Sequence, residues 1–235
     1  MIVKCVWEHN GDDSLLYVEN LPGAYTRGES FDVAKSKMAA EVCSYLKWTD
    51  QNCGEEITLE VVQKAECELN IKDADSDVIF SSELEPLTLC EYMKLKELAL
   101  KSAVDFQQLY DSIPDIDFGS GSGRRTFYGQ VPRSAREMYE HTRSVNSYYF
   151  SEIDVTADNV GTIVECRARG FDALEFHPNF LMRPAIEGSY GEMWSIRKVL
   201  RRFIWHDRIH AKAMYRMAVT KFGHDVIEDP FCFSI

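Results

Sequence analysis

"WSIRKVLRRFIWHDRIHAKAMYRM" (Trp194–Met217) is the stretch that decides the fold of this chain. Ile196, Val199, Phe203, His206, His210, Ala213 and Met217 recur at intervals of 3, 4, 3, 4, 3 and 4. That spacing is the inward seam of a long helix packed against other helices. Two consecutive seam positions, His206 and His210, carry imidazoles. Side chains four apart lie over one another on a helix face, so both rings can reach one point.

Working outward, the pattern is helical over most of the second half. A helix is expected from about Glu192 to Phe222, stopped by Gly223. A second runs from Pro132 to about Ile153, with a seam of Met138, His141, Val145 and Tyr148 at intervals of 3, 4 and 3. A third follows a cap at Thr156 or Asp158 and continues through Arg169, with Gly170 near its end. The first spans Thr88 to about Ser112 and is ended by Ile113-Pro114. Gly119-Ser120-Gly121-Ser122-Gly123 lacks the lysine and spacing of a phosphate loop and reads as a plain connection. His177 to Gly191 is a long irregular connection. The expectation for 86–223 is an all-α four-helix bundle with at least one long crossover.

The first 70 residues read differently. Ile2, Val3, Val6 and Trp7 form one strand, Asn10-Gly11-Asp12-Asp13 a turn, and Ser14–Val18 a second strand. Leu21-Pro22-Gly23 turns into a third strand at Ala24–Arg27. An amphipathic helix, Phe31–Trp48, follows a cap at Ser30, and Ile57–Val62 is a fourth strand. The order β-β-β-α-β predicts a small antiparallel α+β domain. Residues 71–85 are an acidic linker in which Asp73, Asp75 and Asp77 read as solvated. They lack the glycine and distal glutamate of a calcium loop. The tail, 224–235, is apolar at Phe231, Phe233 and Ile235. It is expected to add a strand or fill a groove on its own N-terminal domain or on a second subunit.

Charge is uneven. The net −12 divides into −14 over 1–123, +5 over 124–222 and −3 over the tail. Helix four holds much of the positive charge, in Arg197, Lys198, Arg201, Arg202, Arg208, Lys212 and Arg216, and the acidic first half is its expected partner. So acidic a chain is a poor nucleic-acid binder. Seven scattered cysteines without a CxxC spacing predict reduced thiols in a cytoplasmic protein. No signal-peptide pattern opens the chain, and no apolar run approaches a membrane span.

A third imidazole from a facing helix, His141, completes a three-nitrogen face with His206 and His210. Such a face leaves coordination positions open, which distinguishes a catalytic from a structural metal. The alternative is three buried, hydrogen-bonded histidines, but unpaired imidazoles are costly to bury. Imidazole suits zinc, nickel, copper or iron, with zinc or nickel expected here. HDRIH places Asp207 where a zincin has glutamate. It reads as a surface partner of an arginine, with a carboxylate that supports the metal ligands as the alternative, rather than a general base, and no catalytic residue is assigned. Tyr148, Arg202 and Trp194 are the substrate-pocket candidates, Arg202 standing one turn before His206. His9, His177 and His224 read as surface residues, with His177 the one candidate among them for a fourth ligand.

Two resemblances add to this. Tyr17–Leu46 ("YVENLPGAYTRGESFDVAKSKMAAEVCSYL") resembles the HicB-like fold in its Leu-Pro-Gly turn, following strand and helix. No helix-turn-helix follows, so the resemblance implies the fold and not the antitoxin role. "MYEHTRSVNSYYF" (Met138–Phe150) and Trp194–Met217 resemble helices two and four of the DinB/YfiT-like four-helix bundles. That superfamily carries one ligand histidine on helix two and an HxxxH pair on helix four, which implies His141, His206 and His210 here. Its thiol-dependent S-transferases imply a low-molecular-weight thiol as a second cofactor. The expected function is a divalent-metal-dependent enzyme, an S-transferase or hydrolase acting on a small molecule, in a homodimer. The alternative is a non-enzymatic sensor or scaffold, or a toxin–antitoxin-type regulator using the HicB-like domain for protein interaction.

Overall fold

The computed structural model describes residues 1–54, 56–68, 78–119, 125–126 and 129–233. Asp73, Asp75 and Asp77, Ser120 to Gly123 of the glycine loop, and Ile235 lie outside them. The protein is mixed α+β, an N-terminal sheet followed mostly by helices.

β1 (Ile2–Asn10), β2 (Asp13–Val18), β3 (Tyr25–Gly28) and β4 (Thr58–Glu66) form one sheet in the order β3-β2-β1-β4. The first three pair antiparallel, as expected. β4 instead runs parallel to β1, a correction to the all-antiparallel reading. A parallel neighbour needs a long crossover, and the intervening helices provide it. The single helix expected at Phe31–Trp48 is two: α1 (Phe31–Ser36) and α2 (Met38–Trp48). At the junction the Lys37 N–H bonds Ala34 O, three residues back, and Ser36 Oγ donates to Val33 O. Such local bonds compete with the regular helical ladder.

In the second half, α3 (Leu89–Asp111), α4 (Ala135–Ser151), α5 (Ile163–Glu175) and α6 (Ile196–Phe222) pack so that α3 and α4 each touch both α5 and α6. Two short ribbons interrupt them, β5 (Arg125–Thr126) with β6 (Gly129–Gln130) and β7 (Ile186–Glu187) with β8 (Met193–Trp194), so this half is not all-α. Ser134 and Ser195 cap α4 and α6. Thr162 caps α5, in a reciprocal box with Glu165, and neither Thr156 nor Asp158 does. Asp158 pairs with Arg169 instead. Gly170 is not a helix end. It lies within α5 where the Phe150 ring crosses, and a Cβ would run into that ring.

The main apolar core runs from Val3 in β1, through Val42 and Trp48 on α2 and Phe203 on α6, to Phe231 and Phe233 in the tail, and a second cluster joins Val6, Tyr17 and Phe80 to Trp205 of α6. The two halves are therefore packed together. The Leu-Pro-Gly turn sets Gly23, at φ +95, against Ile204 of α6, where a side chain would clash. Over 78–87 burial is mixed: Val78, Phe80, Glu83 and Leu87 are covered, while Ser81, Ser82, Leu84 and Glu85 are exposed. The tail docks on its own α2, with Phe231 against Trp48 and Ser44 Oγ donating to Cys232 O. Cys43 and Cys53 form a disulfide, which corrects the all-reduced reading. The chain reverses after α2 at Asp50, in left-handed geometry, and brings the two Cα atoms to 5.1 Å.

The charges of α6 pair with the acidic half as expected, but largely in the interior. Arg208 meets Glu41 at 2.9 Å, Lys212 meets Glu41 at 2.7 Å and Arg197 meets Glu91 at 3.0 Å. Arg201 pairs with Glu83 and donates to Val78 O. The Arg208 guanidinium also lies over the rings of Trp48 and Tyr45. Burial raises the Glu41 pKa, but Arg208 and Lys212 outweigh it and hold the carboxyl below its usual range. A depressed carboxylate contributes stability above its unfolded pKa of about 4.3 and loses it as pH falls through the folded value. Glu41→Gln is expected to lower stability at pH 7 and to flatten the loss of stability below about pH 4.3. Urea denaturation of both proteins across pH 3 to 7 reads this; parallel curves would contradict it.

Candidate metal centre

α4 and α6 meet where their predicted seams place histidines. His141 comes from α4, and His206 and His210 lie one turn apart on α6. The ring centroids stand 4.4 Å apart for His206 and His210, 4.7 Å for His141 and His210, and 5.1 Å for His141 and His206. One nitrogen from each lies within 4.8 Å of the other two, so the group can hold a metal ion. Among the described residues no other group of histidine, cysteine or carboxylate side chains does so.

The three rings are not equivalent. His206 is fully buried, and neither of its nitrogens has a hydrogen-bond partner among the described residues. His141 and His210 are half-buried, so the cluster is closed at the His206 end and open at the other. Burial first, then His210, His141, Arg202 and Arg167, hold the His206 pKa well below the usual imidazole value. Burial, His141 and Arg27 do the same at His210. Both rings are therefore neutral and offer a lone pair, the form that binds metal.

This donor set fits a divalent transition ion. Tetrahedral zinc–nitrogen bonds of about 2.0–2.1 Å set ligand nitrogens roughly 3.3–3.4 Å apart. A buried imidazole with both nitrogens unpartnered is costly unless something binds it.

Around His206 the walls are aromatic. Tyr149 approaches edge-on at 5.9 Å and Trp205 lies at 6.4 Å. The three pocket candidates gather on the N-terminal side of this wall. Arg202 is buried, donates to Tyr149 Oη at 3.2 Å and lies over the Trp205 ring at 4.7 Å. Trp194 is buried against Tyr149 at 5.6 Å, with half-buried Tyr148 at 6.1 Å beyond it. Burial, Glu152 and Glu192 raise the Tyr148 pKa, so its hydroxyl stays protonated. Of the three, Arg202 reaches His206 electrostatically.

Two readings of α6, one on its seam and one beside it, need correction. Ala213 is exposed, and burial passes to Met214, Tyr215 and Ala218. A straight helix of 3.6 residues per turn drifts off a strict seven-residue seam, here over the last turns of α6. Asp207 is not on the surface. It is fully buried and forms a two-pronged pair with Arg167 of α5, at 3.1 and 3.2 Å, while Ser102 Oγ of α3 donates to it at 2.6 Å. The Arg167 guanidinium also covers the Phe203 ring at 3.7 Å. Asp207 therefore ties three helices together at the position next to His206 on α6.

Arg167, Tyr149 and Arg27 are neighbours of the cluster that sequence reasoning missed. A signal existed for Arg167: it stands four residues from both Ile163 and Phe171, on the buried stripe of α5. His9, His177 and His224 lie outside the cluster, His9 bonding Gly11 O and His224 meeting Tyr215 Oη. No helix among the described residues is long and apolar enough to cross a membrane. The chain matches no protein-family model, no curated protein and no solved structure.

Proposed function

We propose that the protein is a divalent-metal-dependent enzyme whose ion is held by His141, His206 and His210, with zinc or nickel the natural occupant. The observation that carries this reading is the fully buried His206 ring, with both nitrogens unpartnered among the described residues and two further imidazoles within reach. The half-buried His141 and His210 leave an approach for a small molecule. In this reading the helical half is a four-helix bundle of the DinB/YfiT-like kind and the sheet half is HicB-like, both resting on the sequence resemblance.

A divalent ion at three neutral imidazoles supplies Lewis acidity, which polarises a substrate oxygen or lowers the pKa of a bound water or thiol. The protein's own contribution is rigidity and field. Asp207, Arg167 and Ser102 fix the α6 backbone next to His206, and Tyr149 and Trp205 fix the ring. Arg202 sets a fixed positive charge beside the centre, where it favours negative charge developing on a reacting group. Tyr148, protonated, can donate a hydrogen bond but cannot act as a base at neutral pH.

Transfer of a low-molecular-weight thiol to an electrophile is the favoured reaction, with ester or amide hydrolysis second. The test is an assay of the zinc- or nickel-loaded full chain with glutathione and other small thiols, beside chromogenic esters. Turnover is expected to need the metal and to fall on the order of 100-fold or more in His206→Ala and His141→Ala, since changes even to outer partners of a metal cost 10–100-fold. Equal rates with and without chelator would overturn the reading.

A further inference from the structure

The Cys43–Cys53 disulfide is not an interior staple. Both of its cysteines are half-buried, whereas Cys5, Cys67 and Cys166 are buried free thiols. The bond ties the middle of α2 to the loop that leads from α2 to β4. α2 is also held without it, by the buried Val42, Tyr45, Leu46 and Trp48 and by the Glu41–Arg208 pair. On the loop side, Gln51, Asn52 and Gly54 around Cys53 are all exposed. Accessible disulfides of this kind are the ones that exchange with outside thiols.

The two sulfurs differ in their surroundings. A cavity of about 220 Å³ opens at Cys53, with Leu46, Asn52 and Ile57 in its wall, and Cys43 does not line it. Among the described residues no acidic side chain lines it either, so a thiolate meets no like charge in the wall. Cys43 instead stands on α2 one turn before the exposed Lys47, on the same helix face. A neighbouring ammonium favours the thiolate form of a cysteine, and exchange runs faster when the leaving sulfur is the better thiolate. The cavity and the lysine therefore agree on one direction of attack.

We propose that Cys43–Cys53 is a modification site, at which a low-molecular-weight thiol enters the cavity, bonds to Cys53 and expels Cys43. The attacking thiolate forms a new bond to Cys53 Sγ, the bond between the two cysteines breaks, and its electron pair leaves on Cys43 Sγ. One disulfide replaces another, so no oxidant or further reductant is consumed. The Cys43 thiolate attacks the same sulfur in the reverse step, expels the small thiol and closes the bond again. In the modified form the loop carries the small thiol and is released from its covalent tie to α2. The sheet half thereby responds to the surrounding thiol pool. The proposal does not rest on the metal centre, which supplies none of these groups.

The experiment incubates the chelator-treated full chain with excess reduced glutathione in the absence of oxygen. Early samples are quenched with N-ethylmaleimide, and the peptides are weighed by mass spectrometry. One glutathione on Cys53 and one maleimide on Cys43 are expected. The exposed free thiol of Cys90 should carry maleimide alone, because a thiol gains glutathione only from a disulfide or an oxidant. Lys47→Gln changes an exposed side chain and keeps both cysteines, so it is expected to fold. Its initial exchange rate should fall about threefold, the size of one exposed charge contact. Two free thiols before glutathione is added, absence of the mixed disulfide, glutathione on Cys43 in place of Cys53, or an unchanged rate in Lys47→Gln would each overturn the proposal.

Discussion

Asp207→Ala is expected to lower the stability of the protein by about 3–5 kcal/mol, the cost of leaving one member of a buried ion pair alone. Arg167 is fully buried, and its remaining hydrogen bond is a long one, 3.4 Å to Ala99 O. Burial pushes the Asp207 pKa up, and Arg167 with Ser102 pulls it back. The pair is thus held by mutual attraction against a large desolvation cost. Replacing both partners with apolar residues, Asp207→Leu with Arg167→Met, should recover most of the loss, because no charge is then stranded. Urea denaturation of the chelator-treated proteins measures both. A loss under about 1 kcal/mol for the single variant, the scale of exposed pairs, would mean that the pair is open to water and that Asp207 does not anchor α6.

The second large effect concerns metal and stability together. An ion that binds the folded chain and not the unfolded one stabilises it by about 4 kcal/mol at a free concentration 1,000 times its dissociation constant. For a chain of this size that is a shift of roughly 10 °C in Tm. Zinc or nickel is therefore expected to raise the Tm of chelator-treated wild type by roughly that amount. His206→Ala should show little of this shift. His206 is the informative position, since its unpartnered, fully buried ring has the most to gain from a ligand bond. A Tm that ignores metal in wild type would place the ion elsewhere or nowhere.

The histidine cluster was legible because seam spacing converts directly into facing side chains. His141, His206 and His210 each stood at an apolar interval, and helices obeying that spacing met where the intervals placed them. The strands and the four long helices were legible for the same reason of period, with errors at boundaries. Thr162 won over Thr156 and Asp158 because Glu165, three residues on, completes a reciprocal cap.

What was not legible depends on contacts distant in sequence. Asp207 looked exposed because local reading sees only α6, whereas its partners stand 40 and 105 residues away. The Glu41–Arg208 pair spans 167 residues. Overall charge balance foretold that such pairing would occur, but not that it would be buried. The Cys43–Cys53 bond followed from a chain reversal that spacing does not encode. The parallel β4 could not be read from its own residues either, since strand direction is set by the crossover before it.

The central claim is tested most directly by counting metal. Full-length protein purified without an affinity-column metal is analysed for transition elements, as wild type and as His206→Ala. Close to one zinc, nickel or similar ion per chain is predicted in wild type, with loss in the variant. Wild-type protein that holds no ion, even after incubation with several divalent metals, would contradict the account and leave three core histidines.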